Sequence, residues 1–400
     1  MADRIRILEA SLAAKIAAGE VVDRPASVVK ELIENSIDAG AKSIAVFIVE
    51  GGKRMIRVVD DGVGMSRSDA QAAFQRHATS KVSCEEDLER IETLGFRGEA
   101  LASISAVSRV RLRTKECGAL TGVSVIVEGG GEARLDDDGV PEGASVEVKD
   151  IFYNLPARLK FLRSADSEYG RVLDVFKKAA LINPGISFSL MHGSSSSRGI
   201  YVVSGTLAER VAGLFPEYKA TDFTEARSPV VNGLIASHEV SFSTTKCLYV
   251  YVNKRPVKDR SINSAILDGY GTILDRGRYP FAVLNITIAP EDVDVNIHPA
   301  KTEVRFKSQR YVYDAVKAAV RRALGMEVGA VSQAWQTRPV DLRPVNPVVY
   351  YSEGKADQQK NFYANEPVAV YGAEPRLFQG DVADTADAGF STDVKTPELA

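Results

Sequence analysis

The chain changes character near residue 331, and this change limits how much of it can form a folded core. Residues 1 to about 330 carry helical and strand patterns in close succession. From about 331 onward the apolar residues are isolated and have no period, and prolines recur at Pro339, Pro344, Pro347, Pro367, Pro375 and Pro397. Such a segment buries too little apolar surface to offset the entropy lost on ordering. We therefore expect a folded body over 1–330 and a flexible linker, a disordered tail, over 331–400.

The body is long enough for two domains, each with its own core. Two helices, Ser11–Ala18 and Pro25–Asp38, are predicted to stop at a glycine. Strands over 44–49 and 55–59 follow, joined by Gly51-Gly52. Further strands are predicted near 109–114, 123–127, 145–149, 186–190, 247–252, 281–288 and 292–297, and further helices from Ser66 to Phe74, from about Glu99, within 156–181, and near 259–269 and 311–324. This mixture favours two α+β sandwiches, which we assign to residues 1–205 and 206–330.

Composition narrows the environment and the partners. A hydrophobic content of 45% and a charged content of 26% are typical of a soluble globular protein. Cys84, Cys117 and Cys247 lie far apart in the sequence, which indicates a reducing compartment. We find no apolar run long enough for a signal peptide or a membrane span, so we expect a cytoplasmic protein with no membrane contact. The net charge is −3 and the tail is the more acidic part, so any nucleic-acid contact would need a local basic groove.

Two polar residues one turn apart lie on one side of the helix predicted over 25–38. Its apolar stripe consists of Val28, Val29, Leu32, Ile33 and Ile37, and Ser27, Glu31, Asn35 and Asp38 fall opposite. A solvated helix face explains this pattern. The i, i+4 spacing also suits a carboxylate acting as general base, Glu31, with the amide oxygen of Asn35 as a hard ligand for Mg²⁺.

A turn rich in aspartate and glycine, Asp60-Asp61-Gly62-Val63-Gly64-Met65, follows the second strand. A tight turn at a strand end accounts for these residue types. Alternatively, the carboxylate of Asp60 accepts a hydrogen bond from an exocyclic amine such as N6 of adenine. The two glycines would then let a flat ring approach the backbone.

Three further segments could contact phosphate. Gly95-Phe96-Arg97-Gly98-Glu99-Ala100-Leu101 opens a helix, and glycines at a helix N-terminus leave N–H groups for an anion. The segment lacks the Gly-Lys-Ser/Thr ending of a P-loop, so it is not a Walker site. Upstream, Arg76-His77-Ala78-Thr79-Ser80-Lys81 could supply a phosphate-pairing lysine. Lys301, in the loop after Pro299, is otherwise explained as a solubilising residue.

In this order, the segments resemble the GHKL ATPase superfamily and, within it, the MutL family. Glu31 and Asn35 match the superfamily's ExxxN motif, the turn after Val59 matches DxGxG, and Gly95–Leu101 matches the glycine-rich lid motif. Gyrase B, heat-shock chaperones and sensor kinases share these three. The longer blocks are similar to MutL and little else, and they cover residues 19–32, 76–81, 95–101 and 295–301. The resemblance extends over roughly residues 5–325.

The resemblance implies a GHKL (Bergerat) ATPase α/β sandwich followed by a ribosomal-protein-S5-domain-2-like α/β domain. It also implies ATP and Mg²⁺ as cofactors. Glu31 would activate the attacking water, Asn35 would hold Mg²⁺, and Lys301 would reach the γ-phosphate from the second domain. The other ATP-binding positions it implies are Asp60, Gly62, Gly64, Thr79, Lys81, Gly95, Arg97, Gly98, Glu99, Ala100 and Leu101.

The function implied is that of an ATP-dependent switch and matchmaker in DNA mismatch repair. Such a protein hydrolyses ATP slowly, and its N-terminal region dimerises when ATP binds. It would bind single- and double-stranded DNA without sequence preference, with Arg260 at a DNA-contacting position. It would couple a MutS-type mismatch sensor to a downstream helicase or nuclease and associate with the nucleoid while engaged on DNA. We find no endonuclease motif in the 400 residues of this sequence.

Two positions depart from the family pattern. Ala144, in Gly143-Ala144-Ser145, stands where a threonine hydroxyl usually supports adenine recognition, so Ser145 would have to supply that hydroxyl. Asp61 stands where asparagine is common and adds a negative charge beside Asp60.

Other functions remain open at this point. A type II topoisomerase subunit or a histidine kinase would share the three short motifs, and a scaffold would bind ATP without turnover. A kinase would carry a phosphoacceptor histidine on a helical hairpin, and none of His77, His192, His238 and His298 lies in such a pattern.

Overall fold

The computed structural model of the chain describes residues 9–79, 98–193, 198–294, 304–326 and 369–370. Within these residues the helices are α1 (Ala10–Val21), α2 (Pro25–Asp38), α3 (Arg67–Ala72), α4 (Ala100–Ala106), α5 (Pro156–Phe161), α6 (Ala165–Ile182), α7 (Leu207–Leu214), α8 (Arg260–Tyr270) and α9 (Gln309–Ala323). The first eight strands, all of which lie in the first sheet, are β1 (Ser43–Val49), β2 (Met55–Asp60), β3 (Arg109–Lys115), β4 (Gly122–Glu128), β5 (Arg134–Asp138), β6 (Gly143–Lys149), β7 (Ser187–His192) and β8 (Arg198–Val202). Those that follow are β9 (Phe223–Arg227), β10 (Val231–Ala236), β11 (Ser241–Phe242), β12 (Leu248–Val252), β13 (Arg255–Pro256), β14 (Tyr279–Pro280), β15 (Ala282–Ile286), β16 (Val293–Asp294), β17 (Arg305–Phe306) and β18 (Ala369–Val370).

The first sheet is mixed and is covered by helices. Its strand order is β18-β8-β7-β1-β2-β6-β3-β4-β5, and β1 pairs with β7 in parallel but with β2 antiparallel. Helix α2 begins at Pro25, whose fixed φ suits a first helical position, and it packs its apolar stripe on β1 and β2. Helices α4 and α6 cover neighbouring strands, so this part is an α/β sandwich with one apolar core.

The second sheet, in the order β13-β12-β15-β10-β9, is apolar on both faces. One face, which includes Val250, Val252 and Leu284, packs with helices α8 and α9 into a separate core. The opposite face, which includes Tyr249 and Tyr251, belongs to the core of the first domain. The second sheet is therefore the middle layer between two sets of helices.

Most predicted elements are present, with bounds shifted by one or two residues. The first helix does not stop at Gly19 but continues to Val21, which corrects the prediction. The prediction lacks helix α7 and strands β5, β8, β9 and β10. The residues of β5 are mostly exposed and charged and show no apolar alternation, so this strand has no sequence signal. The domain division after residue 205 stays a prediction, and the tail over 331–400 lies outside the described residues except for 369–370. Among the described helices, none has the length and apolar character that crossing a bilayer requires.

Candidate functional site

Helix α2 presents Glu31 and Asn35 on the side away from its buried stripe. Both residues are partly exposed, whereas Leu32 and Ile33 are buried. The Nζ of Lys30 lies 3.8 Å from an Oε1 of Glu31 and 3.7 Å from Oε1 of Glu34. The helix thus presents a carboxylate and an amide one turn apart, as the sequence predicts. The structure adds the ammonium group of Lys30 beside the carboxylate.

Asp60, the last residue of β2, is a buried carboxylate in a fixed orientation. Its side chain is 8% exposed. The hydroxyl of Ser36 on α2 donates to its Oδ2 at 2.7 Å, and the backbone N–H of Gly62 donates to its Oδ1 at 3.0 Å. These two bonds hold the carboxylate between α2 and the turn that follows β2.

The pKa of Asp60 is raised above its ordinary value. Burial is the main cause, and the charge of Asp61 acts in the same direction. The hydroxyl of Ser36 and the backbone N–H groups of Gly62 and Ala144 oppose the shift, because each stabilises the carboxylate form. The group is therefore a strong, desolvated hydrogen-bond acceptor whose remaining capacity suits an amine donor.

The turn after β2 contacts the backbone of two other segments, the start of β1 and the end of β3. Oδ1 of Asp61 accepts hydrogen bonds from the backbone N–H groups of Lys42 at 2.7 Å and Ser43 at 2.8 Å. The charge at position 61 therefore ties β2 to the start of β1. Gly64 has φ +69°, and a Cβ at this position would lie 2.0 Å from the carbonyl oxygen of Lys115. Only glycine fits there, because both the conformation and the close approach exclude a side chain.

Strand register decides which residue of Gly143-Ala144-Ser145 lies beside Asp60. Asp60 is opposite Ala144, and Val59 is opposite Ser145. Since opposite residues of antiparallel strands share a face, Ala144 lies on the face of Asp60 and Ser145 on the other. Ser145 therefore does not replace the missing hydroxyl.

The two segments that flank residues 80–97 meet. A Cβ on Gly98, which has φ +60°, would lie 2.6 Å from the carbonyl oxygen of Ala78 and 3.0 Å from Cβ of Thr79. Nδ1 of His77 lies 3.2 Å from Oε1 of Glu99. Ala100 begins α4, whose Leu101 is buried in the first core. Of the predicted phosphate-binding residues, the structure thus joins Thr79, Gly98, Glu99, Ala100 and Leu101, while Lys81, Gly95 and Arg97 lie outside the described residues.

The second domain contributes two predicted residues. Lys301 lies outside the described residues, in the connection between β16 and β17, which pair antiparallel. Arg260 is exposed and is the first residue of α8, where Asp259 caps the helix by accepting from the backbone N–H of Ile262 at 2.9 Å. Within the described residues Arg260 forms no ion pair.

Two residues of this region are absent from the sequence prediction. Ser36 lies among the buried residues of α2, and Thr114 lies in the buried register of β3 with Val110 and Leu112. A polar residue at an apolar position was the available signal in both cases.

Comparisons with known proteins identify the family of this chain. Residues 23–130 match the family model described as "Histidine kinase-, DNA gyrase B-, and HSP90-like ATPase", and residues 217–325 match "DNA mismatch repair protein, C-terminal domain". The chain is 30% identical to the MutL ATPase domain of Aquifex aeolicus in complex with ADP. That match covers 74% of this chain and 98% of that one, with a TM-score of 0.51. The chain belongs to the MutL family.

Curated MutL proteins support the same assignment. The chain is 47% identical to MutL of Geobacter sulfurreducens over 332 residues, which cover 81% of this chain and 54% of that protein. It is 43% identical to MutL of Trichlorobacter lovleyi over 384 residues, covering 95% of this chain and 64% of that protein. The chain thus spans between half and two thirds of these MutL proteins. The N-terminal domain of a DNA repair protein shares the fold, with a TM-score of 0.67 at 24% identity.

Proposed function

We propose that this MutL-family chain binds and slowly hydrolyses ATP and uses the nucleotide as a switch in DNA mismatch repair. The observation that carries the proposal is the buried carboxylate of Asp60, held by Ser36 and Gly62 beside the helix that presents Glu31 and Asn35. An acceptor fixed in this way suits the exocyclic amine of adenine. The Aquifex relative, solved with ADP, supports the choice of nucleotide.

The residues of α2 would carry the hydrolysis. Glu31 is partly exposed and would take a proton from the attacking water. Asn35 would hold Mg²⁺, which supplies charge neutralisation at the phosphates when bound. Within the described residues, no group of three or more aspartate, glutamate, histidine or cysteine side chains lies together in a way that could hold a metal ion. A single protein ligand, the amide oxygen of Asn35, fits Mg²⁺, which usually takes one or two protein ligands and fills its shell with phosphates and water.

The phosphates would lie against residues 80–97, the segment between Thr79 and Gly98. Backbone N–H groups from Arg97 to Leu101, together with Lys81 and Gly95, would surround them, while Gly62 and Gly64 would face the adenine. Lys301 would reach the γ-phosphate from the second domain and couple nucleotide state to domain geometry. Such positioning and charge stabilisation are the main sources of catalysis in phosphoryl transfer.

The wider role in mismatch repair is the one that membership of the MutL family implies. ATP binding would bring two N-terminal regions together, and the protein would link a MutS-type mismatch sensor to a downstream helicase or nuclease in the cytoplasm. DNA would bind through phosphate contacts without sequence preference. The exposure of Arg260 and its lack of an ion pair within the described residues support its assignment as one of these contacts.

The test is ATP turnover and ATP binding by the Glu31→Ala variant. We expect turnover to fall to background while Mg²⁺-ATP affinity stays within about threefold, because the base is removed and the binding residues are not. Glu239→Ala, an exposed carboxylate in the second domain, is the matched control and should behave as wild type. Turnover in the Glu31 variant within about threefold of wild type would contradict the assignment of the base.

Adding single-stranded DNA to the same assay tests DNA binding. Arg260→Glu should lose the stimulation of turnover by DNA, whereas Arg276→Glu, an exposed arginine beyond the other end of α8, should keep it. Equal stimulation in both variants would mean that the DNA binds elsewhere.

A further inference from the structure

Thr114 is a polar residue at a position where the sheet buries apolar side chains. It follows Val110 and Leu112 in the buried register of β3 and is fully buried. Burying a hydroxyl is unfavourable unless it forms hydrogen bonds, and valine has nearly the same shape. The hydroxyl at this position therefore has to be explained by its partners.

The hydroxyl of Thr114 joins two segments that are far apart in sequence. It donates to the carbonyl oxygen of Gly143 at 2.8 Å and accepts from the backbone N–H of Met65 at 3.0 Å. Gly143 begins β6, and Met65 ends the turn that follows β2. One side chain thus fixes the distance between these two backbone segments.

Both segments border Asp60. A Cβ on Gly143 would lie 2.2 Å from the carbonyl oxygen of Asp60, so the two backbones are in direct contact. Register places Thr114 opposite Ala144, and Ala144 opposite Asp60, so the three residues share one face of the sheet. The methyl group of Ala144 cannot form hydrogen bonds, whereas the hydroxyl of Thr114, on the next strand of the same face, forms two.

We propose that Thr114 is a positioning residue for adenine, which holds the 62–65 turn and the start of β6 at the spacing that a purine ring needs beside Asp60. This inference rests on the proposed ATP binding. Thr114 is fully buried and both of its hydrogen bonds are to backbone, so it acts through Gly143 and Met65 without touching the nucleotide. Its removal should weaken recognition of the base and leave the phosphate contacts intact.

The test compares Thr114→Val, which keeps the shape and removes both hydrogen bonds, with Thr114→Ser, which keeps the hydroxyl. Ser145→Ala, on the opposite face of the same sheet, is the matched control. Dissociation constants are measured for ATP, ADP and inorganic triphosphate, which lacks the base. Turnover at saturating ATP and thermal unfolding are followed in parallel.

We expect Thr114→Val to weaken ATP and ADP about tenfold, in line with the loss of two buried hydrogen bonds, and to leave triphosphate binding within about twofold. The maximal turnover should change by less than about twofold, so that KM moves and kcat does not. Thr114→Ser and Ser145→Ala should bind ATP as wild type does. If the valine variant does not fold, Thr114→Ala, assayed below its melting temperature, takes its place with the same expectations.

Equal ATP affinity in wild type and Thr114→Val would overturn the inference, and so would an equal loss of triphosphate and ATP binding. Both outcomes leave the proposed function standing. Failure of the wild-type protein to bind ATP would overturn the proposed function, and this inference with it.

Discussion

Asp60, the proposed acceptor for adenine, is a carboxylate whose burial lowers the stability of the folded protein. The carboxylate is buried, and its pKa is raised from the ordinary value of 3.8 because burial outweighs the hydrogen bonds from Ser36 and Gly62. Well below its pKa in the unfolded chain the group is protonated in both states, and stability there does not vary with pH through this group. As pH rises from the unfolded-state pKa to the raised folded-state pKa, the unfolded state loses its proton first, so the folded state becomes less favourable.

We therefore predict a pH-dependent effect of Asp60→Asn on the free energy of unfolding. As pH rises from about 4 toward neutrality, the variant should gain stability relative to wild type, and the difference should level off above the folded-state pKa. Urea unfolding at a series of pH values measures this difference. Ser36→Ala removes a hydrogen bond that lowers the pKa, so it should make the loss of stability with pH larger than in wild type. A difference between Asp60→Asn and wild type that is independent of pH would contradict the raised pKa.

At the scale of single residues, the sequence locates the polar groups of the candidate site but not the residues that hold them in place. The motifs identify Glu31, Asn35 and Asp60, because their spacing is local. The choice between Ala144 and Ser145 depends on how β6 pairs with β2, and a shift of one residue would reverse it. Thr114 acts through hydrogen bonds to two distant segments, which no local pattern contains.

At the scale of single elements, helix α1 shows why a glycine does not always end a helix. Glycine commonly ends a helix, yet α1 passes through Gly19 to Val21. Nη1 of Arg158, in α5, donates to the carbonyl oxygens of Gly19 at 2.7 Å and Val22 at 3.3 Å. The guanidinium lies so close that a Cβ on Gly19 would be 1.8 Å from Nη2. A side chain on Gly19 would therefore displace the guanidinium of Arg158, which lies 139 residues away in the sequence.

This arrangement predicts that Gly19→Ala has opposite effects in two backgrounds. Alanine in a helix is favoured over glycine by about 1 kcal/mol. In wild type it should displace the guanidinium and lose charge-assisted hydrogen bonds worth about 1.5–3 kcal/mol each, for a net destabilisation of about 1 kcal/mol or more. In the Arg158→Ala background the same change should stabilise by about 1 kcal/mol. Urea unfolding of the four proteins gives the coupling energy, and additive effects would show that the two residues do not interact.

At the scale of the whole molecule, the second sheet connects the two sandwiches. The sequence predicts two domains with separate cores, and the run Leu248–Val252 is apolar throughout. Continuous apolar residues in a strand indicate burial on both faces. What they cannot indicate is that one face, with Tyr249 and Tyr251, packs against the first domain. The hydroxyl of Tyr251 donates to the carbonyl oxygen of Lys178 on α6 at 2.8 Å.

We predict that Phe281→Ala destabilises both domains together. Phe281 is fully buried, and its ring centroid lies 5.0 Å from that of Phe215 and 5.4 Å from those of Tyr218 and Phe223. Truncating a phenylalanine in such a cluster costs about 3–5 kcal/mol. Native-state hydrogen exchange should show the same loss of protection in β1 and β2 as in β10 and β12. Loss confined to β10 and β12 would show that the domains unfold independently.

The aromatic face of the second sheet also restricts the kind of motion by which one domain can respond to the other. A hinge that opened the interface would expose Tyr249, Tyr251 and Phe281 to water at the same time. Sliding the sheet within its own plane keeps these rings covered and requires only small changes of side-chain rotamer. Communication between the two domains should therefore take the form of shear, with displacements of about one side-chain length, and not of a hinge rotation of one domain.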